Sequence, residues 1–403
     1  MIWPPNNAKE HEQNPMNRSA EVILQENVPL APLTTLKIGG PARFFVRAES
    51  EEQVIRAFEF ARENSLRVFV LGGGSNVLIS DKGFDGLVLQ IALKGISRKY
   101  GDGFVFITAQ AGEDWDAFVA KCVEENLAGV ECLSGIPGSI GGTPVQNVGA
   151  YGQEVSETIV SVTCYDRNSA EIVGLTNAEC GFEYRKSIFN STEKDRYVVL
   201  AVKYKLRRDG APKIVYKDLR EYFERDAAAR RRGDTESGDG ETVRKGESEE
   251  ILENPQSAFR IPHSYSPTLQ ETRDAIIEIR RAKSMVIDED DPNSRSAGSF
   301  FKNPVVALTK YSEIAATAER EVPKFAVDDS HVKIPAAWLI ENAGFHKGFA
   351  LGNVGISTNH TLALINRGGA TADEIIELRN LIQQKIAARF GIELVPEPVF
   401  IGF

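Results

Sequence analysis

The apolar positions of this chain fall in short clusters of changing period. TTLKIGGPARFFVRA, residues 34–48, reads as one or two strands around a Gly-Gly-Pro turn. In SEEQVIRAFEFARENSL, from Ser50, apolar residues recur at three- and four-residue spacing. That period predicts an amphipathic helix, and Ser50 and Gln53 have capping-box spacing at its start. RVFVL is a short buried strand stopped by GGGSN, and LVLQIA and FVFITAQAG read as further strands. EDWDAFVAKCVEENL predicts a second helix, closed by Gly129. From 158 to 207 the pattern alternates, giving strands in TIVSVTCYD, AEIVGLT and RYVVLAVKYKL. Helical spacing returns in TLQETRDAIIEIRRAKSMV. A helix (PAAWLIENAG), a strand (TLALINRGG) and a long helix follow, the last with Thr371 and Glu374 as a capping box and Gly391 as its stop. ELVPEPVFIGF closes the chain in extended form, with Pro396 and Pro398 flanking Glu397. Helices and strands mixed in this way give an α+β protein.

One stretch breaks the pattern. Residues 223–265 carry charges of both signs, many Gly, Glu and Arg, and little to bury. Such a segment cannot offset its ordering entropy, so it reads as a flexible charged insertion: a solvated loop, or a regulatory segment. The 403 residues, 42% hydrophobic and 26% charged, suit two or three soluble domains. A net charge of −10 argues against nucleic acid as partner, because phosphate neutralisation needs a basic face. The four cysteines, Cys122, Cys132, Cys164 and Cys180, form no CxxC, and the five histidines form no HExxH. A zinc ribbon, a disulfide scaffold and a metal site therefore lack support. Residues 1–20 are polar and contain prolines, unlike a signal peptide, and read as a disordered leader. No window approaches the ~18 apolar residues of a membrane span. The expectation is a cytoplasmic protein without membrane insertion.

Several segments could carry chemistry. VLGGGSNVLIS places Gly72, Gly73 and Gly74, then Ser75 and Asn76, straight after a strand. It is neither GxGxxG nor a P-loop, and a tight turn explains it as well as a phosphate cradle does. LSGIPGSIGGTPVQNVGAYG is richer still in glycine, interleaved with Ser139, Thr143, Gln146, Asn147 and Tyr151. So much glycine is entropically costly, and suggests a large ligand resting on main chain. Together the two segments suggest a dinucleotide. In FEYRKSIF, Arg185 is either a surface charge or a clamp for a carboxylate. Tyr216, just before the insertion, is a packing residue or a lid contact. In SAGSFFKNP, Ser299 is a buried strand hydroxyl or a proton donor in an apolar pocket. Glu397 is a solvent-facing carboxylate or a group held in place by its two prolines.

Taken together and in this order, LGGGSNVL, IPGSIGGTPVQNVGAYG, the Tyr-Arg of FEYRKS, SAGSFFKNP and PEPVFIG resemble the UDP-N-acetylenolpyruvoylglucosamine reductase family, in its first structural type with a tyrosine loop. The likeness runs from about residue 30 to the end, interrupted by the insertion. It implies a two-part FAD-binding module of the vanillyl-alcohol-oxidase type over 21–92 and 93–222. It further implies a C-terminal α+β substrate-binding domain over 266–403 whose tail returns to the active site. It implies non-covalent FAD contacts from Gly72, Gly73, Gly74, Ser75, Asn76, Val77, Leu78, Pro137, Gly138, Ser139, Gly141, Gly142, Thr143, Asn147, Gly149, Ala150 and Tyr151. Arg185, Ser299 and Glu397 fall on the family's catalytic positions. Tyr184, Tyr216, Lys283, Asn303 and His360 match substrate contacts, and Phe325 stands near where some members have a substrate-contacting tyrosine. The implied reaction uses NADPH to reduce the flavin, then reduces the enolpyruvyl UDP-sugar in a monomeric enzyme of peptidoglycan precursor synthesis. Phe300 and Phe301 are expected to wall the pocket, and Gly298 to allow close approach. Two other readings compete. Another FAD oxidoreductase of this fold, acting on an alcohol or sugar, would use the glycine loops equally, often with a histidine tether; the first half of the chain offers only His11. A nucleotide-binding regulatory protein would not need a proton donor.

Overall fold

The computed structural model describes residues 22–236 and 266–403, with only the backbone for 228–236. The leader read over 1–20 lies outside the described residues, as does 237–265, most of the insertion.

Two large sheets frame the described part of the N-terminal half. In the first, strand Gln25–Pro29 runs antiparallel to Pro41–Ala48, which is parallel to Phe84–Ile91, itself parallel to Val68–Leu71. The run Leu87, Val88, Leu89 is wholly buried because this sheet is covered on both faces. Leu87 and Leu89 enter one core with helix α1 (Glu51–Glu63), and Val88 enters another with Leu30, Phe45 and Phe84. Ser50 caps α1 by accepting from the Gln53 N–H at 3.3 Å. The second sheet is antiparallel, in the order Glu171–Thr176, Ile159–Asp166, Tyr197–Arg208, Phe104–Gln110, Ile96–Tyr100. Helix α2 (Trp115–Glu124) packs Trp115 and Phe118 against Tyr204 of that sheet. It ends earlier than Gly129: Asn126 takes a left-handed φ of 56°, and Leu127–Ala128 then pairs with the end of Tyr197–Arg208. Asparagine supplied the stop that glycine was expected to supply.

Helix α3 (Lys217–Glu236) runs through the first part of the stretch read as insertion. The segment ERDAAARRR is charged but made of good helix formers, and composition alone hid that propensity. Leu219 and Phe223 of α3 pack on Ala275 and Ile276 of helix α4 (Leu269–Ala282), with Cys132 beneath. Thus α4 lies on the second sheet's unit, and Leu269 enters its core. The packing places α4 with the FAD-binding half, against the boundary read at 266.

The C-terminal core gathers Phe300, Phe301, helix α5 (Leu308–Thr317), helix α6 (Ala336–Asn342) and helix α7 (Ala372–Phe390). Along α7, Ile375, Leu378, Ile382, Ile386 and Phe390 fall on one buried stripe. Its capping box between Thr371 and Glu374 is formed on both sides, and Gly391 ends it at φ 63°. Leu36, Ile38 and Leu78 from the N-terminal half enter this core too. Strand Val399–Ile401 leaves the domain to pair in parallel with Val77–Ile79. That pairing brings the chain's end beside the first glycine loop.

Candidate active site

A cavity of about 1190 Å³ lies where the two sheets, α4 and the C-terminal tail meet. It is larger than the roughly 300–1,000 Å³ usual for one ligand. Its floor is backbone. The 72–76 turn follows strand Val68–Leu71, and the 137–143 turn is held by the bonds Ile140 N–H to Glu113 O (2.9 Å) and Gly141 N–H to Ala111 O (2.9 Å). The two turns touch: a Cβ on Gly73 would stand 2.7 Å from Gly138 Cα. A Cβ on Gly142 would meet nothing within 4 Å. One glycine lets two backbones meet, and another leaves main chain open beside the cavity, as a dinucleotide cradle needs.

Among the residues matched to FAD contacts, Gly72 to Val77, Pro137 to Ser139, Gly141 to Thr143 and Gly149 to Tyr151 line the cavity. Leu78 and Asn147 do not. Leu78 is fully buried in the C-terminal core, because side chains alternate along Val77–Ile79. Asn147 is turned into the scaffold, donating to Glu154 Oε2 at 2.7 Å and Glu183 O at 3.1 Å and accepting from the Ser156 N–H at 3.2 Å.

The other end is built from side chains. Arg185 sits in the left-handed region at φ 54°, in the turn closed by Glu183 and Lys186. A non-glycine residue held there is strained, and such strain clusters at functional sites. Its Nη2 donates to Gly149 O at 2.7 Å, and its Nε lies 3.5 Å from Glu397 Oε2. Glu397 is carried in by the tail: its N–H donates to Phe300 O at 2.9 Å, and its carbonyl accepts from Asn76 Nδ2 at 3.3 Å. Burial pushes the Glu397 carboxyl up, against the opposing pull of Arg185 and Lys302. Ser299 Oγ is 3.4 Å from His360 Nε2. Burial, with the charges of Lys283, Lys347 and Arg280, lowers the His360 pKa to about 4, so the imidazole is neutral near pH 7.

Tyr184, Tyr216, Lys283, Asn303 and His360 all line the cavity. Asn303 Oδ1 accepts from the Ala336 N–H at 2.8 Å, at the start of α6. Tyr216 meets Tyr151 edge-on at 5.5 Å, and Lys283 pairs with Asp218 at 2.6 Å. Phe325 also lines the cavity, half exposed.

Two expectations about SAGSFFKNP are corrected. Phe300 and Phe301 are fully buried in the C-terminal core and do not line the cavity. They anchor the bend that presents Ser299, and Met285, Leu362 and Phe400 supply apolar wall instead. Gly298 is needed for its φ of 74°, since a Cβ there would approach nothing closer than Met285 Cε at 3.8 Å.

Sequence reasoning missed Arg280, Lys302 and Lys333, and also Arg167, Tyr197 and Val199, all of which line the cavity. Arg280 left a signal: it follows Thr272, Ala275 and Ile276 on the buried stripe of α4, where an arginine is out of place unless a ligand or partner awaits it. Its Nη2 donates to Met285 O at 2.7 Å. Arg167, Tyr197 and Val199 left none, because Val199 reads as any strand residue.

Comparison with known proteins agrees with this architecture. Residues 42–175 match the family model of an FAD binding domain, and residues 290–401 match that of the UDP-N-acetylenolpyruvoylglucosamine reductase C-terminal domain. The UDP-N-acetylenolpyruvoylglucosamine reductase of Thermobifida fusca (strain YX) is 43% identical over 384 residues, covering 93% of this chain and 97% of the relative. That of Streptomyces coelicolor is 43% identical over 395 residues, covering 96% and 92%. The crystal structure of the reductase from Thermus caldophilus superposes with a TM-score of 0.58 at 21% identity, covering 94% of this chain and 98% of that one, a likeness of fold. The chain belongs to the UDP-N-acetylenolpyruvoylglucosamine reductase family and is an FAD-dependent oxidoreductase.

Proposed function

We propose that this family member catalyses the NADPH-dependent reduction of UDP-N-acetylenolpyruvoylglucosamine to UDP-N-acetylmuramate, a step of peptidoglycan precursor synthesis, with Arg185, Ser299 and Glu397 as its catalytic residues. The observation that carries the reading is their meeting at one end of a cavity large enough for two ligands, with Arg185 and Glu397 3.5 Å apart. The glycine turns, open to the cavity, fit a non-covalent FAD. FAD held there would, once reduced by NADPH, supply the hydride chemistry for C3 of the enolpyruvyl group. Negative charge then develops at C2 and on the adjoining carboxylate. Arg185 faces that charge, and its guanidinium is already aimed by Gly149 O. Glu397, more readily protonated through burial, stabilises the same enol-like charge by hydrogen bonding. Ser299 gives its hydroxyl proton to C2. Lys283 and the buried Arg280 hold the diphosphate, while Asn303, Tyr184 and Tyr216 orient the sugar. Every group lies on one chain, so the reading needs no second copy.

The chain has among its described residues no helix long and apolar enough to cross a membrane. The test of the reading is anaerobic stopped-flow absorbance. Purified protein should show an oxidised flavin spectrum, bleach with NADPH, and recover on addition of the enolpyruvyl UDP-sugar. Bleaching without recovery would move the assignment to another FAD oxidoreductase.

A further inference from the structure

His360 is held against Ser299 by a rigid turn. Ser357 N–H donates to Ala363 O at 2.9 Å and Ala363 N–H to His360 O at 3.1 Å. Asn359 Nδ2 donates to Ser284 Oγ at 2.8 Å. Phe300 N–H donates to Leu362 O at 2.8 Å. The last bond ties the residue after Ser299 to the turn that carries His360, so both side chains move with one frame. The result is the 3.4 Å approach of Nε2 to Ser299 Oγ. Such bonds are often long before the substrate arrives and tighten in the complex.

A neutral imidazole has one N–H, and its place decides what the serine can do. If Nε2 accepted, the Ser299 proton would point at His360 and away from C2. If Nε2 donates, the Ser299 proton is free to point into the cavity. We propose that His360 is a positioning residue in which Nε2–H donates to Ser299 Oγ, aiming the serine proton at C2 and stabilising the alkoxide left behind. This rests on the function proposed above. In the step, the Ser299 O–H bond breaks and a C2–H bond forms from the electron pair of the enol-like intermediate. The alkoxide regains its proton from water as product leaves. His360 keeps its own proton throughout. The burial and the surrounding Lys283, Lys347 and Arg280 that hold the ring neutral also favour negative charge on the neighbouring oxygen.

The test is a double-mutant cycle on flavin-loaded full-length enzyme, reduced anaerobically with NADPH and mixed with saturating enolpyruvyl UDP-sugar. His360→Ala should slow flavin reoxidation by about tenfold or more, and His360→Gln, which keeps a side-chain N–H, should recover to within about threefold of wild type. On a Ser299→Ala background, His360→Ala should change the rate by less than about twofold. The oxidised flavin spectrum and the thermal melting temperature should match wild type in all of them, and these report intact folding. If alanine disturbs the turn, His360→Leu, of similar volume and without a donor, takes its place. Equal losses on both backgrounds, or a loss seen only in the substrate concentration needed for saturation, would overturn the proposal. Wild-type reoxidation in Ser299→Ala would instead remove the reading on which it rests.

Discussion

The two ends of the cavity are built from different material. At one end, main chain from two glycine turns meets at Gly73 and Gly138, and most of the work is done by residues close together in sequence. At the other, side chains from residues 185, 283, 299, 360 and 397 converge, each delivered by a different element. The first end can hold a ligand but has little acid–base chemistry of its own. The second can move a proton and stabilise charge, and depends on long-range pairing for its geometry. Asn76 joins them: its side chain donates to Gln146 Oε1 at 2.9 Å and to Glu397 O at 3.3 Å, while its own carbonyl accepts from the Val399 N–H at 3.0 Å. The proposed function divides the labour accordingly, with cofactor loading at one end and substrate reduction at the other.

Substitutions at each end should separate these tasks. The largest effect is expected from Ser299→Ala, which removes the proposed proton donor. Substrate-driven reoxidation should fall by about 10²–10⁴-fold with flavin reduction by NADPH unchanged. Arg185→Ala removes the cation proposed to face the developing charge, and about 10²–10³-fold should be lost from the same half-reaction in single-turnover measurements. Gly73→Ala acts at the other end. Its Cβ would stand 2.7 Å from Gly138 Cα and force the two backbones apart, and FAD affinity should weaken by about tenfold, equivalent to ~1.4 kcal/mol, in a fluorescence titration of apoprotein. With FAD saturating, its substrate half-reaction should stay close to normal.

A separate effect, outside catalysis, is on stability. His360 binds its proton less readily in the folded chain, with a pKa near 4 against 6.5 when unperturbed. The unfolded state therefore binds more protons between those values. The stability this group contributes is complete above about pH 6.5 and is lost as pH falls toward about 4. His360→Gln should reduce the loss by ~2–3 kcal/mol, read from denaturant unfolding at pH 7 and pH 4.5. An equal loss in both proteins would mean that the imidazole is not desolvated.

The same contrast explains what was legible in the sequence. The glycine turns could be recognised because their residues are adjacent and glycine announces its backbone role. Within them, the side chains of Leu78 and Asn147 turn into the scaffold and not the cavity, which a motif string does not reveal. Arg185, Ser299 and Glu397 stand out in the sequence only through resemblance, because nothing in their local sequences requires them to meet; the pairing of the tail with Phe300 and with Val77–Ile79 brings Glu397 beside Ser299, and Gly149 O holds Arg185. Phe300 and Phe301 adjoin Ser299 in sequence, which suggests the pocket, yet the bend at Gly298–Ser299 turns both rings into the C-terminal core. The early helical part of α3 was hidden by its charge, and the end of α2 by an asparagine in a glycine's role.

The division of labour is tested most directly by one crossed measurement. Ser299→Ala and Gly73→Ala would each be loaded with saturating FAD, and both half-reactions followed anaerobically by flavin absorbance. The account predicts that Ser299→Ala bleaches normally with NADPH and fails to recover with the enolpyruvyl UDP-sugar. It predicts that Gly73→Ala, once loaded, bleaches and recovers. Parallel loss of both half-reactions in Ser299→Ala, or recovery at the wild-type rate, would contradict it.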